Sequence, residues 1–202
     1  MLRRLMLPAL AGLTLVATAG CADDVSPAAR VDGVAIPNDE LLDEVEQWGN
    51  NSTLLQAVQF PEELAQGEAP ESWSTELVGF VLGSRVGFEL HRAEFEELGL
   101  ELDDEQREGV RGQLFGDPAV TEQVFEGFTD DYGDELVDSV ARQIAVQDEL
   151  GEEYSAWVDE AYADGEVDIN PRYGTWDPVA GRVVAPEGPI TRTTEPAFPT
   201  GG

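Results

Sequence analysis

The sequence predicts a mainly α-helical domain with a small β contribution, and three observations point to it. Between Trp73 and Leu98 apolar residues recur at alternating steps of three and four, the period of a helix with one buried face. Asn38 and Asp103 stand just ahead of apolar-periodic runs, where a helix start needs a side-chain acceptor. Extended character is confined to two short stretches, near residues 31–36 and 167–169. An apolar fraction of 42% in 202 residues is enough for one modest core.

Taken in order, Val31 to Ile36 alternates loosely around Gly33 and reads as a short strand or bend. A helix then starts with Asn38 as its cap; Asp39 and Glu40 suit its positive end, and Leu41, Leu42, Val45 and Trp48 share a face. Gly49-Asn50-Asn51 ends it, a second short helix begins at Ser52, and 61–72 is loop-rich. In the long helix, Leu77, Val81, Ser84, Phe88, His91, Phe95 and Leu98 form one stripe, with Phe80, Gly83, Gly87 and Leu90 beside it. Arg85, Glu89, Arg92 and Glu96 fall on the opposite face, and Gly99 closes the helix.

Asp103 with Gln106 has the form of a capping box, opening a charged helix that Gly116-Asp117-Pro118 breaks. Pro118 suits the first turn of the next helix, which carries Val120, Val124, Phe125 and Phe128. A further helix runs from about 133 to 163 with a break near Gly151. After the strand candidate at 167–169 comes Asn170-Pro171-Arg172-Tyr173-Gly174-Thr175-Trp176-Asp177. Beyond it Pro, Gly and Thr dominate without period, so 178–202 reads as a disordered tail and the domain as 32–177.

Charge excludes whole classes of function. Against 42 acidic residues stand eleven arginines and no lysine, a net −31, so no basic stripe exists to release counterions from nucleic acid. One cysteine cannot make a disulfide framework or a thiolate zinc site, and one histidine excludes multi-histidine metal centres.

The first twenty residues read as an export signal. Arg3 and Arg4 precede an apolar run that is short for a membrane span, and Thr18-Ala19-Gly20-Cys21 resembles the lipobox of bacterial lipoproteins. That resemblance implies cleavage before Cys21, acylation of its sulfur and attachment to the extracytoplasmic face of the cell membrane, with 21–31 as the tether. The arginine pair leaves open which export route is used. Loss of the signal leaves nine arginines against 42 acids.

Two stretches resemble SurA-like extracytoplasmic chaperones. Ala28 to Ile36 followed by a capped helix is similar to the V-N-G-x-x-I opening of their N-terminal domains, with Asp32 where Asn is usual. The long helix with its turn at Leu98 to Glu105, and the closing segment from Val167 to Asp177, resemble the later landmarks of SurA-like actinobacterial lipoproteins. Gly33, Asn170, Pro171, Arg172, Tyr173, Gly174 and Trp176 are the signature positions of that likeness.

The resemblance implies a helical domain that holds unfolded or nascent exported polypeptides, with or without a separate foldase as partner. It does not imply catalysis here. Relatives with prolyl isomerase activity carry a parvulin domain before the closing strand, and the stretch from Gly151 to Glu166 leaves no room for one. A divergent prolyl isomerase and a structural or ligand-binding envelope lipoprotein are the other readings.

Individual residues point to packing more than to chemistry. His91 on the apolar stripe is expected to be a hydrogen-bonded core or edge residue. Gly83-Ser84-Arg85-Val86-Gly87 lacks the spacing of a nucleophile elbow and sits mid-helix, so its small residues are expected to allow close helix packing. The alternating acids around 164–170 fail the calcium-loop pattern, with Ile169 where Gly is required and Thr175 where Glu is. No metal, cofactor or catalytic residue is therefore expected. Arg172 is expected to pair with a local carboxylate, and Tyr173 and Trp176 to pack on the helices. Client-binding aromatics are expected among Phe60, Trp73, Phe80, Phe88 and Phe95.

Overall fold

Asp32-Gly33 sets the start of the fold. Both residues take positive φ, 49° and 81°, the geometry of the two-residue hairpin turn that Asp-Gly pairs favour. The segment near 31–36 is thus a hairpin of β1 (Ala29–Val31) and β2 (Val34–Ile36). On its other side β1 pairs antiparallel with β3 (Val167–Ile169), Ala29 opposite Ile169 and Val31 opposite Val167. The sheet order is β2-β1-β3, so the two ends of the domain close on each other. In this computed structural model, residues 26–67, 69 and 72–186 are described.

This sheet moves the expected start of the domain. Ala28, Ala29 and Val31 are core residues, so the part of the tether from 28 onward belongs to the fold. The export signal, Cys21 and residues 187–202 lie outside the described residues.

The helices follow the sequence pattern closely. They are α1 (Asn38–Gly49), α2 (Ser52–Ala57), α3 (Thr75–Glu97), α4 (Asp104–Gln113), α5 (Pro118–Glu126), α6 (Asp130–Leu150) and α7 (Tyr154–Asp164). Ser74 caps α3, accepting from the Leu77 amide at 3.0 Å, and the Asp103/Gln106 capping box opens α4. Pro118 lies in the first turn of α5 behind the Asp117 cap, and Gly151 breaks α6 from α7 at φ 53°. Asn38 is not the α1 cap. It is already helical behind Pro37, and its amide donates to the Ser26 carbonyl, holding the start of the chain to the helix.

The expected tail also contributes structure. Thr175–Asp177 (β4) and Arg182–Val184 (β5) form a second antiparallel hairpin, so the domain runs past 177. Helix α3 is the axis of the molecule, packed against α1, α6, β1 and β5. Its buried residues, Leu77, Val78, Val81, Leu82, Val86, Leu90, His91 and Phe95, spread wider than one stripe. All but His91 and Phe95 join one core cluster with Leu41 and Val45 of α1, Leu54 and Leu55 of α2, Val31 and Ile36 of the sheet, and Tyr173. Complete burial of such a side chain stabilises by roughly 1.5–3 kcal/mol. No helix among the described residues is long and apolar enough to cross a membrane.

Candidate functional site

Two of the α3 glycines seat a strand and a third seats a helix side chain, since a Cβ on Gly87 would lie 3.4 Å from the Tyr162 hydroxyl of α7. A Cβ on Gly79 would lie 3.4 Å from the Val183 carbonyl oxygen, and one on Gly83 3.4 Å from the Val183 amide nitrogen. The i, i+4 glycine repeat therefore receives the backbone of β5. Gly174 permits the hairpin's return: at φ 129° its missing Cβ would stand 2.1 Å from the Val184 carbonyl. Gly181 lets the β4–β5 turn lie flat on the Tyr162 ring, which also meets Trp176 edge-on at 5.7 Å. The Trp176 indole N–H donates to the Tyr162 carbonyl at 3.1 Å.

An open groove of about 720 Å³ runs between α3 and this hairpin. Phe60, Phe80 and Phe88 supply its aromatic side and Val183 to Ala185 its backbone side, with His91, Gln143 and Tyr162 lining it as well. Phe80 is 38% exposed, tilted on Phe60 at 5.4 Å and edge-on to Trp48 at 5.5 Å. Three of the five expected client-binding aromatics thus converge. Trp73 does not; its ring covers Gly49 at the end of α1, where no larger residue fits. Phe95 does not either, since it is buried at the far end of α3. A smaller groove of about 360 Å³ lies between α4 and α6, lined by Val110, Leu114, Val140 and Ile144 among others.

His91 sits where its position on the stripe implies, 2% exposed. Its Nδ1 faces the Gly87 carbonyl at 2.7 Å and must carry the proton, leaving Nε2 to accept from the Tyr154 hydroxyl at 3.0 Å. Burial pushes its pKa below the ordinary value of 6.5. With both nitrogens engaged and Trp157 packed edge-on at 4.9 Å, the imidazole is a satisfied core group.

The closing segment is a brace. Asn170 receives the Arg172 amide on its Oδ1 at 3.1 Å, and its own amide group donates to the Pro27 carbonyl at 3.2 Å. Pro171 follows in the turn, and Tyr173 behind it is 1% exposed in the core. Arg172 lies over the Tyr173 ring at 5.7 Å. Gly33 serves only the β1–β2 turn.

On the other side of α3 the expected solvated charge face is partly buried. Arg85 is only 12% exposed and reaches Glu135 at 2.6 Å, Glu44 at 3.0 Å, Glu40 at 3.6 Å and Glu89 at 3.8 Å. Glu44 is 8% exposed on the inner face of α1, and burial pushes its carboxyl up to about 7 against the pull of Arg85. The neighbouring Tyr132 hydroxyl, which accepts from the Trp48 indole N–H at 2.5 Å, is raised above its ordinary value, mainly by burial. The sequence does carry a signal for this site. Leu41, Glu44, Val45 and Trp48 follow i, i+3, i+4, i+7, which sets one glutamate inside an apolar stripe.

Among the described residues no group of three or more His, Cys, Asp or Glu side chains is arranged to hold a metal ion. In comparisons with known proteins, no family model, curated protein or solved structure matches the chain.

Proposed function

We propose that this protein is a lipid-anchored extracytoplasmic chaperone that holds extended apolar segments of unfolded or nascent exported polypeptides. The observation that carries the reading is the open groove in which Phe60, Phe80 and Phe88 converge beside β5. An open groove with an aromatic side suits a chain of varied sequence, whereas a small ligand calls for an enclosed cavity with a few converging polar groups. Two or three client side chains seated there would each contribute roughly 1.5–3 kcal/mol. Ordering the client offsets part of that gain. The net affinity is then weak, roughly millimolar to high micromolar, suited to capture and release without ATP.

Two sequence features support the same reading: the SurA-like order of opening hairpin, long helix and closing strand, and the lipobox ending in Cys21. The strongly acidic chain repels its own copies and favours clients with positive segments. Binding of such clients weakens with salt as the Debye length falls from about 10 Å at 0.1 M to about 3 Å at 1 M.

The test is whether the mature chain, at several-fold excess, keeps a reduced and unfolded secreted protein from aggregating. Suppression that Phe80→Asp weakens is the expected result; no suppression by the unaltered chain overturns the reading. A proline-limited refolding assay separates it from isomerase activity, because a holding protein does not accelerate that step. Anchoring is checked by membrane fractionation, where Cys21→Ser is expected to abolish acylation and the mature form.

A further inference from the structure

Client capture makes no use of the charged junction on the far side of α3. Three helices meet there around one guanidinium. Glu40 and Glu44 approach it from α1, Glu89 from its own helix, and Glu135 from α6, all within 4 Å of Arg85. Tyr132 of α6 is the other titratable group facing Glu44, and Trp48 of α1 holds its hydroxyl. Glu89 is shared with Arg92 at 2.7 Å.

These carboxylates do not stand equally. Glu40 and Glu135 are about half exposed, so water stabilises their charge. Glu44 has almost none of that water, and the Arg85 nitrogen it meets lies closer to Glu135. One cation divided among four carboxylates cannot offset the desolvation of the buried one, whose cheapest state inside is the neutral acid.

We propose that Glu44 carries a proton while α1 is docked against α3 and α6, and that releasing this proton to solvent loosens α1, making the junction a proton-operated latch. Ionised Glu44 would face three carboxylates across a single guanidinium, and undocking α1 restores its water. The displacement reaches the groove by a short route. Trp48 lies one turn beyond Glu44, is tied to Tyr132, and meets Phe80 of the groove edge-on. The latch itself is independent of what the groove binds.

The experiment follows the free, full chain between pH 5 and 8.5 by amide hydrogen exchange of α1, corrected for intrinsic rate, and by carboxyl-carbon NMR of glutamate. A docked carboxyl titrating near 7, against 4.5 when solvated, shifts docking about tenfold between pH 6 and 8. The expected result is that loss of α1 protection, with Glu44 titrating in the same range, and a Glu44→Gln chain whose α1 protection stays flat. Glu135→Gln leaves Arg85 to Glu44 and is expected to lower the midpoint, which keeps the proposal testable if Glu44→Gln fails to fold. A wild-type α1 that is flat with pH, a Glu44 signal titrating near the ordinary glutamate value, or an unmoved midpoint in Glu135→Gln overturns it.

Discussion

The two sides of α3 are held by different physics. Towards β5, Gly79 and Gly83 present bare backbone, and contact depends on shape alone. Towards α1 and α6, Arg85 gathers carboxylates, and contact depends on which of them hold protons. One helix can serve both because the two sets of residues lie on separated faces. The lesson is that the Gly79 and Gly83 contact with β5 carries no titrating group and is intolerant of bulk, whereas the acidic side tolerates isosteric change and responds to pH.

Gly174→Val is the sharpest way to break the first side. It places a branched Cβ against the Val184 carbonyl at a φ that L residues rarely adopt, and a loss of about 2–4 kcal/mol in urea unfolding is expected. Gly83→Leu would push β5 off α3, costing roughly 1–3 kcal/mol through overpacking. Gly83→Ala separates shape from flexibility: its Cβ makes only snug contact at 3.4 Å, so the variant should be neutral or up to about 1 kcal/mol more stable. A large loss with alanine would show the contact to be tighter than this.

The acidic side is probed by pH. The folded-state value of Glu44 is raised, so its contribution is complete below the solvated value of 4.5 and is lost as pH climbs towards about 7. His91 works in the opposite sense: its value is lowered, so its contribution is present above 6.5 and is lost as pH falls through the folded value. Stability between pH 5 and 8 is therefore a contest of two buried groups. In Glu44→Gln the decline towards alkaline pH should shrink by up to about 2 kcal/mol, leaving the acid-side loss visible in the same unfolding series.

Smaller effects complete the comparison. Phe80→Asp should weaken client binding about tenfold, roughly 1.4 kcal/mol, while altering stability by less than about 1 kcal/mol because the ring is part-exposed. Tyr154→Phe removes only the hydroxyl that donates to His91 and is expected to cost about 1 kcal/mol in unfolding. A titration comparing affinity with stability for each variant would show whether groove and core are separable.

Helices were the most readable feature of this chain. The periodicity of residues 73–98, the Asp103/Gln106 box, Pro118 and the break at Gly151 are local signals, and each element lies where its signal puts it. The strands were harder, because three residues are too few to alternate convincingly. β5 is a strand through its pairing with β4, and its seat is the glycine repeat of α3, about a hundred residues earlier in the chain. The candidate groove was legible only in part. Phe60, Phe80 and Phe88 could be picked out as large apolar residues, but nothing in their spacing separates them from Trp73 and Phe95, which pack elsewhere.

The sequence by itself determined the helices, the Asp103/Gln106 capping box and the excess of acid. These follow from short-range geometry or simple counting, which require no knowledge of partners. Only the tertiary structure decided which aromatics face a groove, that the chain beyond 177 returns as a hairpin, and that Glu44, among the described acidic residues, is buried. Burial and pairing between distant segments depend on how elements pack. A carboxylate's water, and with it its charge, is set by neighbours that sequence distance does not reveal.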